Sequence, residues 1–389
     1  MMTLLFSVAF CLLLLSAVVS PATTPAAASR IVGQEDSGHD NDDWVVLAKR
    51  ISSSHPIISK DTTRGACDFP YNPALFPLPT GSDDGARSRV GALVRCQNLT
   101  QPPYTVAPSV MCSSVIDPSG RNASQTMHIA FQEDAVFEKC GTEDPRVVKW
   151  GDEYFLFYTA YDCTKAMLSL AVTRTPFNAS SWTRHGPLFP NAKWSKSGAA
   201  ILGRKGKQYL IWGDSALTPA LHVAVSEDGI KWTNKKETIL SVRKSPYFDT
   251  NLVEAGPPPL PLPHSNHLLF LYNSARQGFP SPKPGYSLQY NVGFAILNAS
   301  DPSHVLQRSS QPLLSPTLPW EVGNTTAYLT PNVVFVEGMV PASTPLTDLE
   351  CPRSHIADGR FLALYGAADS AVGSVEIVAC KRHNATPTH

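Results

Sequence analysis

The sequence predicts an all-β fold, a five-bladed β-propeller, on three observations. A short apolar run ending in an aromatic residue or arginine recurs five times. Each copy has a second apolar stretch and a tight polar turn just upstream. The composition is also rich in proline (34 residues) and sparing in charge (16%), which suits strands and loops better than helices or disorder.

The five copies are RVGALVRCQN (89–98), YFLFYTAYD (154–162), QYLIWGDS (208–215), HLLFLYNSA (267–275) and RFLALYGAAD (360–369). With Arg95, Tyr158, Trp212, Tyr272 and Tyr365 as landmarks, the spacings are 63, 54, 60 and 93 residues, the last carrying proline-rich insertions. Upstream lie VVKWGDE, AAILGRKGK, PPLPLPHSN and VVFVEGMV; downstream of the middle three lie LSLAVTRTP, LHVAVSEDGIKW and VGFAILNASDP. Alternating strands joined by Gly-Asp or Asp-Gly turns read as antiparallel meanders, and a meander repeated about every 55–60 residues reads as a propeller blade. A β-sandwich is the competing architecture.

Four segments divide the chain. Residues 1–22 carry an apolar run from Leu4 to Val19 followed by small residues, the pattern of a secretory signal peptide. Residues 23–59 read as a low-complexity linker and N-terminal segment, residues 60–383 as the propeller, and residues 384–389 as a tail. Six Asn-X-Ser/Thr sequons (Asn98, Asn122, Asn178, Asn298, Asn324 and Asn384) agree with an N-glycosylated protein, secreted or in the secretory-pathway lumen. Without the leader seven cysteines remain, so at least one is unpaired; Cys140–Cys163 and Cys351–Cys380 are the expected bridges.

Lys plus Arg equals Asp plus Glu at 32 each, which removes the basic footprint of a nucleic-acid binder. No later apolar run is long enough for a membrane span, so no stable insertion is expected once the leader is cut. Neither a metal site nor a cofactor motif stands out.

The first strands of a propeller's blades line its axis and run in one sense, so their starts converge at one mouth. Those starts read Asn72-Pro73, Glu143-Asp144-Pro145-Arg146, Lys196-Ser197-Gly198, Glu254-Ala255-Gly256-Pro257 and Pro331-Asn332. Asp144 and Glu254 fall on blades two and four, which do not adjoin in a ring of five. They are expected to face each other across the mouth, as glycoside cleavage by one acid and one base requires. Simpler roles compete: a strand cap for Asp144, and an ion pair with Arg243 or Lys244 for Glu254.

These residues resemble glycoside hydrolase family 130, whose members include β-mannoside phosphorylases and β-1,2-mannosidases on a five-bladed propeller. The resemblance rests on GTEDPRVVKWGDEYFLFYTAYD (141–162), with YNPA (71–74), VEAGPPPL (253–260), LQRSSQPLLSP (306–316), WEVG (320–323), NVVFVEG (332–338) and LYGAADSAVG (364–373) following the family's order. It implies that Asp144 is the general acid, its proton passed directly or through a sugar hydroxyl. It places Arg146 beside the sugar or its charge partner, and Asn72, Arg95 and Asp369 in the sugar or anion pocket. Lys196, Glu143 and Asn332 join them as rim residues. Where phosphorylases of the family carry a His-Arg pair and a further His, this chain has Trp212-Gly213-Asp214 and Asn273, with Asp214 and Asn273 expected to bind substrate, and it adds Glu254 and Glu337. Loss of cations and gain of carboxylates disfavours phosphate and favours water. The expectation is a secreted glycosidase that hydrolyses β-mannosidic linkages, β-1,2 among them, by an inverting single displacement. Asp144 is the acid and Glu254 the base, with Glu337 the second candidate base or a core ion pair. A phosphorylase or a non-catalytic sugar-binding propeller are the alternatives.

Overall fold

The computed structural model describes residues 43–79, 89–100, 107–203, 206–213, 220–323 and 328–383. The leader at 1–22, Cys11, Asp214, Asn324 and the tail with Asn384 lie outside the described residues.

Five antiparallel sheets form the five blades. Blade one is Phe69–Pro77, Val90–Gln97, Val110–Ile116 and His128–Phe131. Blade two is Thr142–Trp150, Glu153–Tyr161, Ala166–Thr173 and Thr183–Pro187. Blade three is Gly198–Ile201, Gln208–Trp212, Ala220–Ser226 and Thr233–Ser241. Blade four is Leu252–Ala255, His267–Gln277, Leu288–Asn298 and Val305–Arg308, with Leu260–Leu262 also paired to its second strand. Blade five is Val334–Pro341, His355–Ala367, Ala371–Arg382 and, from the other end of the chain, Trp44–Arg50. Each sequence landmark sits on its blade's second strand.

That last strand corrects the segment boundaries. Trp44–Arg50 lies inside the stretch read as a linker, yet it pairs along its whole length with Ala371–Arg382, from Trp44 opposite Lys381 to Arg50 opposite Val375. The segment WVVLAKR is short, but it covers an edge that would otherwise be exposed, and it ties the two ends of the chain into one sheet. Ile57 and Ile58 are buried beyond it. The propeller therefore begins near residue 44, not residue 60.

The ring is held by one apolar cluster per blade interface. Phe76 and Phe131 meet Tyr154 and Tyr158 between blades one and two. Phe157 and Leu170 meet Leu210 and Trp212 between two and three, and Ile211 and Leu221 meet Phe270 and Tyr272 between three and four. Leu271 and Phe294 meet Val336 and Tyr365 between four and five. Leu75 and Val94 meet Leu362 and Leu364 between five and one, closing the circle. Strands buried on both faces explain why Glu153–Tyr161 reads EYFLFYTAY, nearly continuous apolar sequence rather than strict alternation. Trp232 packs edge-on to Phe157 and Trp320 stacks on Tyr365, so these two aromatics serve the core.

Among the described residues three disulfides form, the two expected from the sequence and Cys67–Cys96, leaving Cys112 as a buried thiol. In blades one and two the bridge ties the residue just ahead of the first strand to the end of the second, bracing the mouth. Of the four described sequon asparagines, Asn98, Asn122 and Asn178 are exposed and Asn298 is half-buried. Among the described residues no helix is long and apolar enough to cross a membrane.

Candidate active site

The mouth is built by breaking the strands that line it. On three blades the first strand carries a register shift, and the unpaired residues are Asn72, Asp144 with Pro145, and Glu337. A bulge leaves its extra residue out of the ladder and turns the side chain off the alternating pattern, here toward the axis. Asn72, Asp144, Ser197 and Asn332 also hold positive φ angles of 45°, 50°, 55° and 59°. For residues with a Cβ that region costs roughly 1–3 kcal/mol each, and such strain gathers where a side chain must point somewhere particular.

Asp144 is at the centre and 3% exposed. Its Oδ1 accepts from Arg95 Nη1 at 2.7 Å and from Asn72 Nδ2 at 3.0 Å, and its Oδ2 lies 3.4 Å from Lys196 Nζ. Arg95 forks, its Nη2 reaching Glu143 Oε1 at 2.9 Å, and its guanidinium lies over the Tyr71 ring. Lys196 Nζ is also 3.7 Å from Glu254 Oε1, and the same oxygen accepts from Ser197 Oγ. The two carboxylates read from the sequence thus share one ammonium, and these oxygens lie no more than about 7 Å apart, the sum of the two contacts. That limit admits the lower end of the ~6.5–9.5 Å of inverting glycosidases as well as the ~5–5.5 Å of retaining ones. The ion pair of Glu254 with Arg243 does not form; Arg243 binds Asp249.

The charges set the protonation. Burial pushes the Asp144 carboxyl up, but Arg95, Lys196 and Arg146, with the Asn72 hydrogen bond, outweigh it and hold the group well below the usual carboxylate range. Glu337 goes the other way: burial pushes it well above, Asp144 and Glu254 push the same way, and Arg146 only partly offsets them. Asp369, at the end of blade five's second strand with φ 48°, is also raised, chiefly by burial. Arg146 Nη1 is 3.0 Å from Glu337 Oε1, yet neither Glu337 oxygen has an aligned hydrogen-bond donor. Asn72 Oδ1 and Arg95 Nε are likewise buried without a partner.

Two expected substrate ligands prove to be wall. Arg146 is fully buried and donates to the carbonyls of Asp144 (2.9 Å), Ala255 (2.6 Å) and Gly256 (3.3 Å). Blade four's first strand ends at Ala255, so those carbonyls need a donor, and Arg146 supplies it across the axis. Its remaining charged neighbour is Glu337. Asn273 is fully buried and spends its amide on Val336, donating Nδ2 to the carbonyl at 2.9 Å and accepting the N–H at 2.8 Å, beside the Glu337 bulge. Asn332 donates to the Pro280 carbonyl at 2.9 Å. Asn72, Arg95, Glu143, Asp144, Lys196 and Glu254 are brought together as expected. Ser197 was missed: it stood in the rim reading as a neutral residue, and only its position ahead of Gly198 marked it.

Residues 110–381 match the sequence profile of a family described as β-1,4-mannooligosaccharide phosphorylase, glycoside hydrolase family 130. The chain belongs to that family. A 1,2-β-oligomannan phosphorylase of Thermoanaerobacter sp. (strain X514) is 26% identical over 235 residues, 60% of this chain and 67% of the relative. A glycosyl hydrolase structure from Bacteroides ovatus superposes with a TM-score of 0.63 at 24% identity, covering 84% of this chain and 92% of its own. A second structure superposes with a TM-score of 0.63 at 23% identity, covering 85% and 93%. Its description states that the family of mannoside phosphorylases contains glycoside hydrolases that target β-1,2-mannosidic linkages in Candida mannan. At these identities the superpositions speak for the shared fold.

Proposed function

We propose that this protein hydrolyses β-mannosidic linkages, β-1,2 among them, by an inverting single displacement at the Asp144–Glu254 pair. The observation that carries the reading is the charge balance of the mouth. Arg95 already lies beside Glu143 and Asp144, Lys196 lies beside Asp144 and Glu254, and Arg146 is buried in the wall with its donors on three carbonyls. A phosphate dianion would have to strip a cation from its partner and then sit among acids, at a desolvation and repulsion cost. Water has no such difficulty.

In the resting site Asp144 is an anion, so it gains its proton only after the sugar enters. Lys196 is its longest-reaching partner and is partly exposed, whereas Arg95 and Asn72 hold it at hydrogen-bond distance. A mannoside hydroxyl that displaces the ammonium from Asp144 removes one of the charges holding its proton affinity down. Asp144 takes up a proton from solvent and then protonates the leaving oxygen, directly or through that hydroxyl, while Glu254 takes a proton from water on the opposite face of the ring and afterwards returns it to solvent. Glu337, fully buried against Arg146, is a poor candidate for the base.

Phosphorolysis is the competing reading, favoured by the activity named for the Thermoanaerobacter relative. Purified protein incubated with β-1,2-mannobiose separates the two. Free mannose at a rate indifferent to inorganic phosphate is the expected outcome; mannose 1-phosphate formed only in its presence would sink the hydrolytic reading. We further propose that the protein travels the secretory route, supported by its disulfides and the exposed sequons at Asn98, Asn122 and Asn178. Protein recovered from its native source should lose mass on treatment with an N-glycosidase.

A further inference from the structure

We infer that Ser197 is a positioning residue for Glu254, fixing the base through a hydrogen bond for which the backbone accepts a strained conformation. The inference rests on the hydrolytic reading above and goes further by assigning a role to a residue outside the acid–base pair. Ser197 is 1% exposed and its Oγ donates to Glu254 Oε1. Its φ is 55°, in the left-handed region where glycine sits without penalty. The chain places glycine one residue later, at Gly198, where the first strand begins and φ is not positive. A sequence that needed only the kink would carry glycine at 197. Keeping a side chain there is informative because the side chain reaches a proposed reacting group on another blade.

The neighbouring residues make Ser197 a rigid anchor. Ser195 is bound to blade two twice, its N–H donating to the Ala166 carbonyl at 3.1 Å and its Oγ accepting from the Leu168 N–H at 2.9 Å. The Lys196 carbonyl accepts from the Gly213 N–H at 2.9 Å within blade three. Gly198 pairs with Trp212. The three residues before the strand are thus pinned by two blades, and they present a hydroxyl and an ammonium to one oxygen of a carboxylate on a third. A carboxyl group turns freely about its last bond. Holding one oxygen from a fixed point orients the whole group toward the water it must deprotonate, and misorientation of a catalytic group lowers the rate without weakening substrate binding.

The test compares Ser197→Gly and Ser197→Ala with the wild type on β-1,2-mannobiose, with Tm measured on the same samples. Both variants lack the hydroxyl, and only glycine relieves the strain. The expected result is a fall in kcat of ten- to a hundredfold in both, with KM within about threefold of wild type, while Tm of the glycine variant equals or exceeds that of the alanine variant. An unchanged kcat overturns the inference, as does a rise in KM alone. A glycine variant that loses kcat only in step with Tm assigns Ser197 a structural role and also overturns it. The product of the wild type, mannose or mannose 1-phosphate, judges the hydrolytic reading separately.

Discussion

Two kinds of buried ion cluster occupy this molecule, and they are wired differently. Blades two, four and five each contain a lock of tyrosine, acid and arginine. In blade two Glu138 accepts from the Tyr158 hydroxyl and from Arg184 Nε at 3.1 Å. In blade four Asp249 accepts from Tyr272 at 2.9 Å, from Arg243 Nε at 2.8 Å and from Arg308. In blade five Glu321 accepts from Tyr365 at 2.7 Å and from Arg50 Nε at 2.6 Å. The pattern repeats: the acid precedes the first strand, the tyrosine is the landmark on the second, and an arginine comes from the outermost. Every acid is fully buried, and backbone N–H groups fill further acceptor sites on Glu138 and Glu321. The axial cluster uses the same residue types, but its cations are shared between acids, and Glu337, Asn72 and Arg95 retain buried atoms with no partner. A satisfied buried network holds a structure in one state. An incompletely satisfied one is costly, and its retention at a mouth marks groups that await something else.

The contrast gives four tests, each a substitution that should act differently at the axis and in a lock. The largest effect is expected from Asp144→Asn, a loss of roughly a thousandfold in kcat. Its Tm should fall as well, because the ionised carboxylate stabilises the fold, but the protein should still fold since Arg95 keeps Glu143 and Lys196 keeps Glu254. Next is Glu321→Gln. It leaves Arg50 without its counter-charge and should lower stability by about 3–5 kcal/mol in denaturant unfolding, with kcat of the folded protein intact. Tyr365→Phe removes one hydrogen bond to that acid and should cost about 1.5–3 kcal/mol, again without a change in kcat.

The smallest effect is expected from Glu337→Gln, the same substitution as at Glu321 with the opposite outcome. Burial favours the neutral acid at Glu337, so a neutral isostere should change stability by about 1 kcal/mol or less near neutral pH. Its pH signature is distinct. Glu337 binds its proton more tightly folded than unfolded, so its contribution to stability is complete below the ordinary value of 4.5 and declines as pH rises toward the raised folded value. Gln should abolish that decline. A Glu337→Gln protein as unstable as Glu321→Gln would erase the distinction between the two kinds of cluster.

Much of this was legible in the sequence, because the repeat of landmarks gave the blades and the convergence of first strands gave the mouth. Asp144, Glu254, Lys196, Arg95, Glu143 and Asn72 come together for that reason. What could not be read is the phase of each strand. A bulge shifts every later side chain to the other face, and no residue type announces a bulge. Hence Arg146, two residues beyond Asp144, went into the wall, and Glu337, which looked far along its strand, turned toward the axis. Asn273 stood where the family resemblance has a cation, but the Val336 backbone beside that bulge takes up its amide. The closing strand Trp44–Arg50 was obscured by its low-complexity neighbours and by pairing with a partner more than three hundred residues away. The locks were invisible as such, although their tyrosines were the landmarks.

Proton NMR of the first-formed product from β-1,2-mannobiose, in phosphate-free buffer, tests the central claim most directly. The account expects α-mannose from the wild type, the inverted anomer, and essentially none from Asp144→Asn. Two results would contradict it: α-mannose 1-phosphate that appears only once phosphate is added, or an Asp144→Asn protein as active as its parent.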